Sequence, residues 1–201
     1  KMPIFVARQW IRHRTARVNE ISGRYTVLKD EFYLPDLERI QYQSKNNKQG
    51  SSNEEVSLDV KNAVQSKMLK DQGSAAESYH NILDNNIAKE LARINLPLST
   101  YTEWYWSMDA HNLFHFLKLR LDKHAQWEIQ QYGLAIAEIV KKVIPMAWDA
   151  FEKHTLKSVK FSASELEVID NHLRGIDYNS SEFGLSGQAK TDFLQKLGWI
   201  K

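Results

Sequence analysis

Cysteine is absent from this sequence. Its absence removes disulfides, thiolate metal sites and a cysteine nucleophile together, and it suits a reducing cytoplasm. Long apolar runs are also missing. A bilayer span needs roughly 20 apolar residues, and the best stretch, residues 132–148, is interrupted by Glu138, Lys141 and Lys142; no membrane partner is expected. Charge of one sign is lacking too, since 27 Lys and Arg face 25 Asp and Glu for a net +2. That balance argues against a nucleic-acid coat, so any anion must be caught by a local cluster. What remains, 42% hydrophobic and 26% charged over 201 residues, is the composition of one folded domain, at most with an appendage.

Lys1-Met2-Pro3 has neither a signal-peptide layout nor a convincing start, and upstream sequence is expected. Ile4, Ala7 and Ile11 at helical spacing after Pro3 favour a helix. Residues 25–34 carry β-formers and predict a strand or hairpin stopped at Pro35. Residues 44–57 are almost entirely Asn, Lys, Gln, Gly, Ser and Glu, the composition of a mobile surface insertion. Val60, Val64 and Met68, then Tyr79, Leu83, Ile87 and Leu91, predict two helices separated near Gly73. Residues 98–108 are aromatic and β-like, after which Asp109 caps a helix and a second, long helix runs to Pro145. Ser162 with Glu165 reads as a capping box and Gly175 as a C-terminal cap, so residues 155–201 form a helical C-terminal extension to a domain over 1–154.

Two clusters could carry chemistry. Arg12, His13, Arg14, Arg17 and Arg24, with Ser22 and Gly23, supply forked donors, a group that titrates near neutrality and a backbone open to close approach; the pattern suits a nucleotide phosphate or a solvated basic loop. His111 and His115 stand at i and i+4 with His124 beyond, which suits a metal pair or two hydrogen-bonded structural histidines. Arg120, between Leu119 and Leu121, needs an anionic partner or must snorkel. Ser22 has no visible base beside it, which favours a phosphate-loop role over a nucleophile. The run through Gln126 and Glu128 reads as helix-packing surface, and the six tryptophans as core or interface anchors.

Arg12-His13-Arg14, seven residues and then Ser22 resembles the signature of the flavin-dependent thymidylate synthases. Residues 3–10 and Gly23-Arg24-Tyr25 are similar to its flanks. Ala92-Arg93, Leu96-Pro97, Tyr101-Thr102, Trp106, Leu119-Arg120 and residues 124–129 follow in the family's order, so the resemblance spans residues 1 to about 150 apart from the insertion. It implies a homotetramer with shared active sites that binds FAD, dUMP, NADPH and methylenetetrahydrofolate and makes dTMP by reductive methylation. A chain without Cys agrees with such cofactor-based chemistry.

Carried over, the resemblance gives dUMP to Gln9, Trp10, Ile11 and Arg12, to the loop of Glu20, Ile21, Ser22, Gly23 and Arg24, to Arg93 reaching from a neighbouring subunit, and to Arg120. It gives FAD to Arg12, His13, Arg14 and Glu20 and to Asp109, Ala110, His111 and His115, with no metal. Arg120 is the catalytic residue it implies, facing the uracil and favouring its ionised form. The fold read with it is α+β, a twisted, mainly antiparallel sheet flanked by helices. The alternative is a non-catalytic nucleotide- or RNA-binding module using the arginine loop.

Overall fold

The computed structural model describes residues 1–45, 50–52, 54–175 and 185–198. Contacts divide these into two compact units, Lys1–Pro145 and Met146–Lys201. The boundary lies ahead of the division near residue 154 read from composition.

In the first unit, β1 (Met2–Pro3) runs straight into α1 (Ile4–Trp10). Proline before the first turn costs nothing because the N–H groups there lack helical partners. Those that remain are satisfied from outside: Ile4 N donates to Thr100 O at 2.9 Å and Phe5 N to Leu98 O at 3.0 Å. Val6, Ala7 and Trp10 form the buried stripe of α1. β2 (Arg17–Glu20) follows, and residues 100–107 then serve as a shared spine. β3 (Tyr101–Thr102) pairs antiparallel with β1, and β4 (Trp104–Ser107) pairs antiparallel with β2. The register Arg17↔Ser107 through Glu20↔Trp104 sets the arginine-rich turn beside the start of the next helix.

That helix, α4 (Ala110–Arg120), begins where the Asp109 carboxylate accepts from Asn112 N at 2.8 Å. It packs on α5 (Trp127–Val143), which in turn meets α1. Phe116, Leu117 and Ile129 are fully buried at this junction, each contributing about 1.5–3 kcal/mol by removal from water. Trp10 stacks on Phe116 with centroids 4.9 Å apart and meets Trp106 edge-on at 5.1 Å. The architecture is α+β, with antiparallel pairing in two small two-stranded sheets among helices.

Three expectations change. Residues 25–34 form neither strand nor hairpin beyond an isolated bridge, Phe32↔Thr100. Their backbone is satisfied elsewhere: Leu28 N donates to the Tyr79 hydroxyl at 3.0 Å, and Gln72 Nε2 donates to Tyr33 O at 2.9 Å. Second, α2 (Leu58–Asp84) is one helix through Gly73, which has open space around it; the chain turns instead at Asn86, whose φ is 59°, before α3 (Lys89–Ala92). A lone glycine on an exposed face costs about 1 kcal/mol against alanine and does not break a helix whose neighbours favour it. Third, of the insertion read over residues 44–57, residues 46–49 and 53 lie outside the described residues. The described remainder is tied by a Gln43↔Ser51 bridge, Val56 is buried, and Ser57 caps α2.

The second unit carries all of α6 (Pro145–Phe151) but its first residue, a helical turn over Glu152–Leu156, α7 (Ala163–Leu173) and α8 (Gly187–Lys196). The Ser162/Glu165 capping box is present, and Gly175 takes a φ of +67° just past the end of α7. Val168, Leu185 and Phe193 make its small core.

Candidate active site

The residues singled out in the sequence fall into two groups. The first is a pocket of about 530 Å³ lined by Glu20, Ile21, Ser22, Gly23 and Arg24 together with Leu28, Glu90, Arg93 and Tyr101. Glu20 ends β2 and is held by Thr102, whose Oγ1 donates to its Oε1 at 2.5 Å. Ser22 Oγ accepts from Arg24 N at 3.3 Å, a local bond that shapes the loop and leaves the hydroxyl without a base. Gly23 is buried, and a Cβ there would stand 3.0 Å from Arg93 Cδ and 3.1 Å from Leu28 Cδ1. A Cβ at this position would push the Arg93 side chain back by a few tenths of an ångström. Arg93, which the resemblance assigns to a site of a neighbouring subunit, lies against the loop of its own chain. Arg24 reaches Glu90, 3.0 Å away, in a half-exposed ion pair.

The second group is centred on Arg120, the last residue of α4. Arg120 Nε donates to His13 Nε2 at 3.1 Å, and Arg120 Nη2 donates to Gln9 O at 3.3 Å. Partial burial pushes the guanidinium pKa down from its ordinary value. Burial, and then the charge of Arg120, likewise lower that of His13, so His13 is the neutral acceptor that Arg120 requires. Among the described residues Arg120 has no salt-bridge partner: it is a half-buried cation held by neutral acceptors, a state that favours an incoming anion. Trp10 is part of the aromatic core, 5% exposed, while Ile11 beside it is exposed.

Gln9 links Arg120 to residues read as mere packing. Its Nε2 donates to Gln126 Oε1, Gln126 Nε2 donates to Glu128 Oε2 at 2.8 Å, and Glu128 Oε1 accepts from the Tyr33 hydroxyl and Arg39 Nε, both at 3.0 Å. Burial opposes the charge of Glu128, yet the hydrogen bonds from Arg39 and Gln126 bring its pKa below the usual carboxylate value. The one sequence signal was an acidic residue at the start of a helix whose next position, Ile129, is core; its partners, Tyr33 and Arg39, lie some ninety positions earlier.

The remaining flavin candidates are exposed. Arg12 and Arg14, and Arg17 nearby, have no ion-pair partner among the described residues, and Arg17 is registered opposite Ser107, two residues ahead of Asp109. His111 and His115 face each other edge-on at 5.0 Å on α4. No group of three His, Cys, Asp or Glu placed to hold a metal occurs among the described residues. Guanidiniums without an ion-pair partner among the described residues suit a ligand rich in phosphate oxygens.

The family described as thymidylate synthase complementing protein matches residues 1–146. The chain is 56% identical to the flavin-dependent thymidylate synthase of Treponema denticola, over 98% of this chain and 72% of that one. The chain belongs to that family. To the synthase of Thermus thermophilus it is 50% identical over the same shares. Among solved structures it resembles the UMP/dUMP methylase PolB of Streptomyces cacaoi bound with 5-Br UMP, with 32% identity, a TM-score of 0.72 and coverage of 79% of this chain and 73% of that one. A flavin-dependent thymidylate synthase is a methyltransferase, so the chain is an enzyme of that class and not a non-catalytic binding module. No helix among the described residues is long and apolar enough to cross a membrane.

Proposed function

We infer that the chain methylates dUMP to dTMP with FAD, taking the one-carbon unit from methylenetetrahydrofolate and reducing equivalents from NADPH, at sites shared within a homotetramer. The observation that carries this reading is Arg120: a half-buried guanidinium fixed by His13 and Gln9 with no counter-ion among the described residues. Beside a pyrimidine it stabilises the ring anion and so the charge that develops as the ring becomes nucleophilic. His13 holds it without neutralising it. The loop of Glu20, Ile21, Ser22, Gly23 and Arg24, with Arg93, takes the phosphate, because forked guanidiniums and backbone N–H groups match its oxygens.

Arg12, His13 and Arg14 with Glu20, Asp109, Ala110, His111 and His115 would hold the flavin. When bound, FAD supplies the electron transfer that no side chain of this Cys-free protein provides. Three features support shared sites. The phosphate loop and Arg93 line one pocket, which Arg120 does not enter. The Arg120 group stands apart on α1 and α4. In the single chain α2 leaves Val60, Val64 and Met68 exposed at four-residue spacing, an apolar stripe of the kind that subunit contacts cover. The reading carries with it a cytoplasmic location, which a Cys-free chain suits.

The test is spectroscopic. Purified protein should be yellow, bleach with NADPH, and convert dUMP to dTMP when methylenetetrahydrofolate is added. A colourless protein that stays inert after FAD is added would overturn the assignment.

A further inference from the structure

The pocket of the phosphate loop holds charges of both signs, and they are not all paired. Arg24 is taken by Glu90 at 3.0 Å, whereas Glu20 and Arg93, which line the same pocket, have no ion-pair partner among the described residues. A carboxylate and a guanidinium in one cavity attract each other, and an ion pair between them would occupy the donors that a phosphate needs. The Glu20 carboxylate is instead held by Thr102, whose hydroxyl donates to Oε1 at 2.5 Å, the one side-chain hydrogen bond of Glu20 among the described residues. Thr102 is 4% exposed, and its backbone is fixed by the antiparallel pairing of β3 with β1, opposite Met2. A β-branched side chain has little rotamer freedom, so this donor is a fixed point, while Glu20 is exposed and has only this tether.

We propose that Thr102 is a positioning residue for phosphate binding: its hydroxyl anchors the Glu20 carboxylate against the sheet and so keeps Arg93 unpaired and open to the phosphate of the nucleotide. This rests on the reading above that the loop and Arg93 take that phosphate. Without the tether Glu20 turns into the cavity and pairs with Arg93, and the substrate then has to displace an anion of the protein itself.

The experiment measures dUMP binding to the flavin-loaded full chain by calorimetry, with inorganic phosphate as a competitor of dUMP, for the wild type, Thr102→Val and Thr102→Ser. Valine keeps the shape and removes the donor: affinity for dUMP and for phosphate should fall together by about tenfold, the loss expected when a hydrogen bond to a charged group is removed, with KM for dUMP rising more than kcat falls. Serine keeps the hydroxyl and should restore both affinities. In a Glu20→Gln background Thr102→Val should add nothing further, since no carboxylate remains to capture Arg93. Thr102→Ala removes the same donor and gives the same comparison if the valine variant does not fold. Unchanged affinity in Thr102→Val, a loss for dUMP without one for phosphate, or a full loss that persists beside Glu20→Gln overturns the proposal. Wild-type protein that does not bind dUMP overturns the functional reading itself, and this proposal with it.

Discussion

Arg120 and His13, 107 positions apart in sequence, are joined by a hydrogen bond in which the imidazole accepts from the guanidinium at 3.1 Å. The direction of that bond matters, because a protonated His13 could not accept. Burial and the neighbouring charge, which keep the imidazole neutral, are therefore what keep Arg120 aimed.

Arg120→Ala should reduce turnover by about 10²–10³-fold, the loss typical when a preorganised charge at a developing anion is removed. Flavin content, read from visible absorbance, should stay near the wild-type level, because the flavin contacts are assigned to other residues. Loss of FAD with undiminished single-turnover chemistry would refute the role given to Arg120.

The acid side of the pH profile should depend on His13. Its pKa in the folded chain lies below the ordinary 6.5, so between those two values the unfolded chain binds more protons. Stability from this site is complete above pH 6.5 and is lost as pH falls through the folded-state pKa. Denaturant titrations should give wild type and His13→Gln stability curves that run parallel above pH 6.5 and differ in slope below it. Curves that stay parallel throughout would assign the acid sensitivity elsewhere.

Gly23→Ala tests the pocket. The added methyl meets Arg93 Cδ at 3.0 Å, and a flexible side chain gives way more readily than backbone. The cost should fall on binding: KM for dUMP is expected to rise about tenfold, with a stability change of about 1 kcal/mol or less. An unchanged KM would mean that Arg93 does not reach the phosphate.

Mixing inactive Arg93→Ala and Arg120→Ala proteins after dissociation and reassembly should restore part of the activity if each site takes its pocket from one chain and its Arg120 from another. Hybrid tetramers as inactive as either parent would argue for sites built within single chains.

In the second unit, Ser162→Ala removes the side chain that accepts from Glu165 N and should lower the stability of α7 by about 1 kcal/mol. Thermal unfolding monitored by proteolysis of this unit would read the effect. Unchanged protection would mean that Glu165, bonded to Ser162 N at 2.6 Å and to Lys196, holds the turn without the serine.

Several features were legible because they are local. Pro3 entering α1, the Asp109 cap and the Ser162/Glu165 box depend on residues within four positions, where backbone geometry and hydrogen-bonding chemistry suffice. Residues 25–34 misled for the opposite reason: strand propensity there yields to donors and acceptors supplied by Tyr79 and Gln72 on α2, about 40 to 50 positions away. Gly73 misled because helix breaking depends on what surrounds a glycine, and at this site nothing does.

By itself, then, the sequence determined the helix starts at Asp109 and Ser162, the Arg12-His13-Arg14 to Ser22 motif that carries the family, and the exclusion of thiol chemistry, all of which depend on residue types at short spacing. Only tertiary structure decided that Arg93 lies on Gly23, that Arg120 is braced by His13, and that Glu128 meets Arg39 and Tyr33. The reason is physical: a buried charge is tolerable only where its partners converge, and that convergence depends on how the helices and strands pack, which no local pattern encodes.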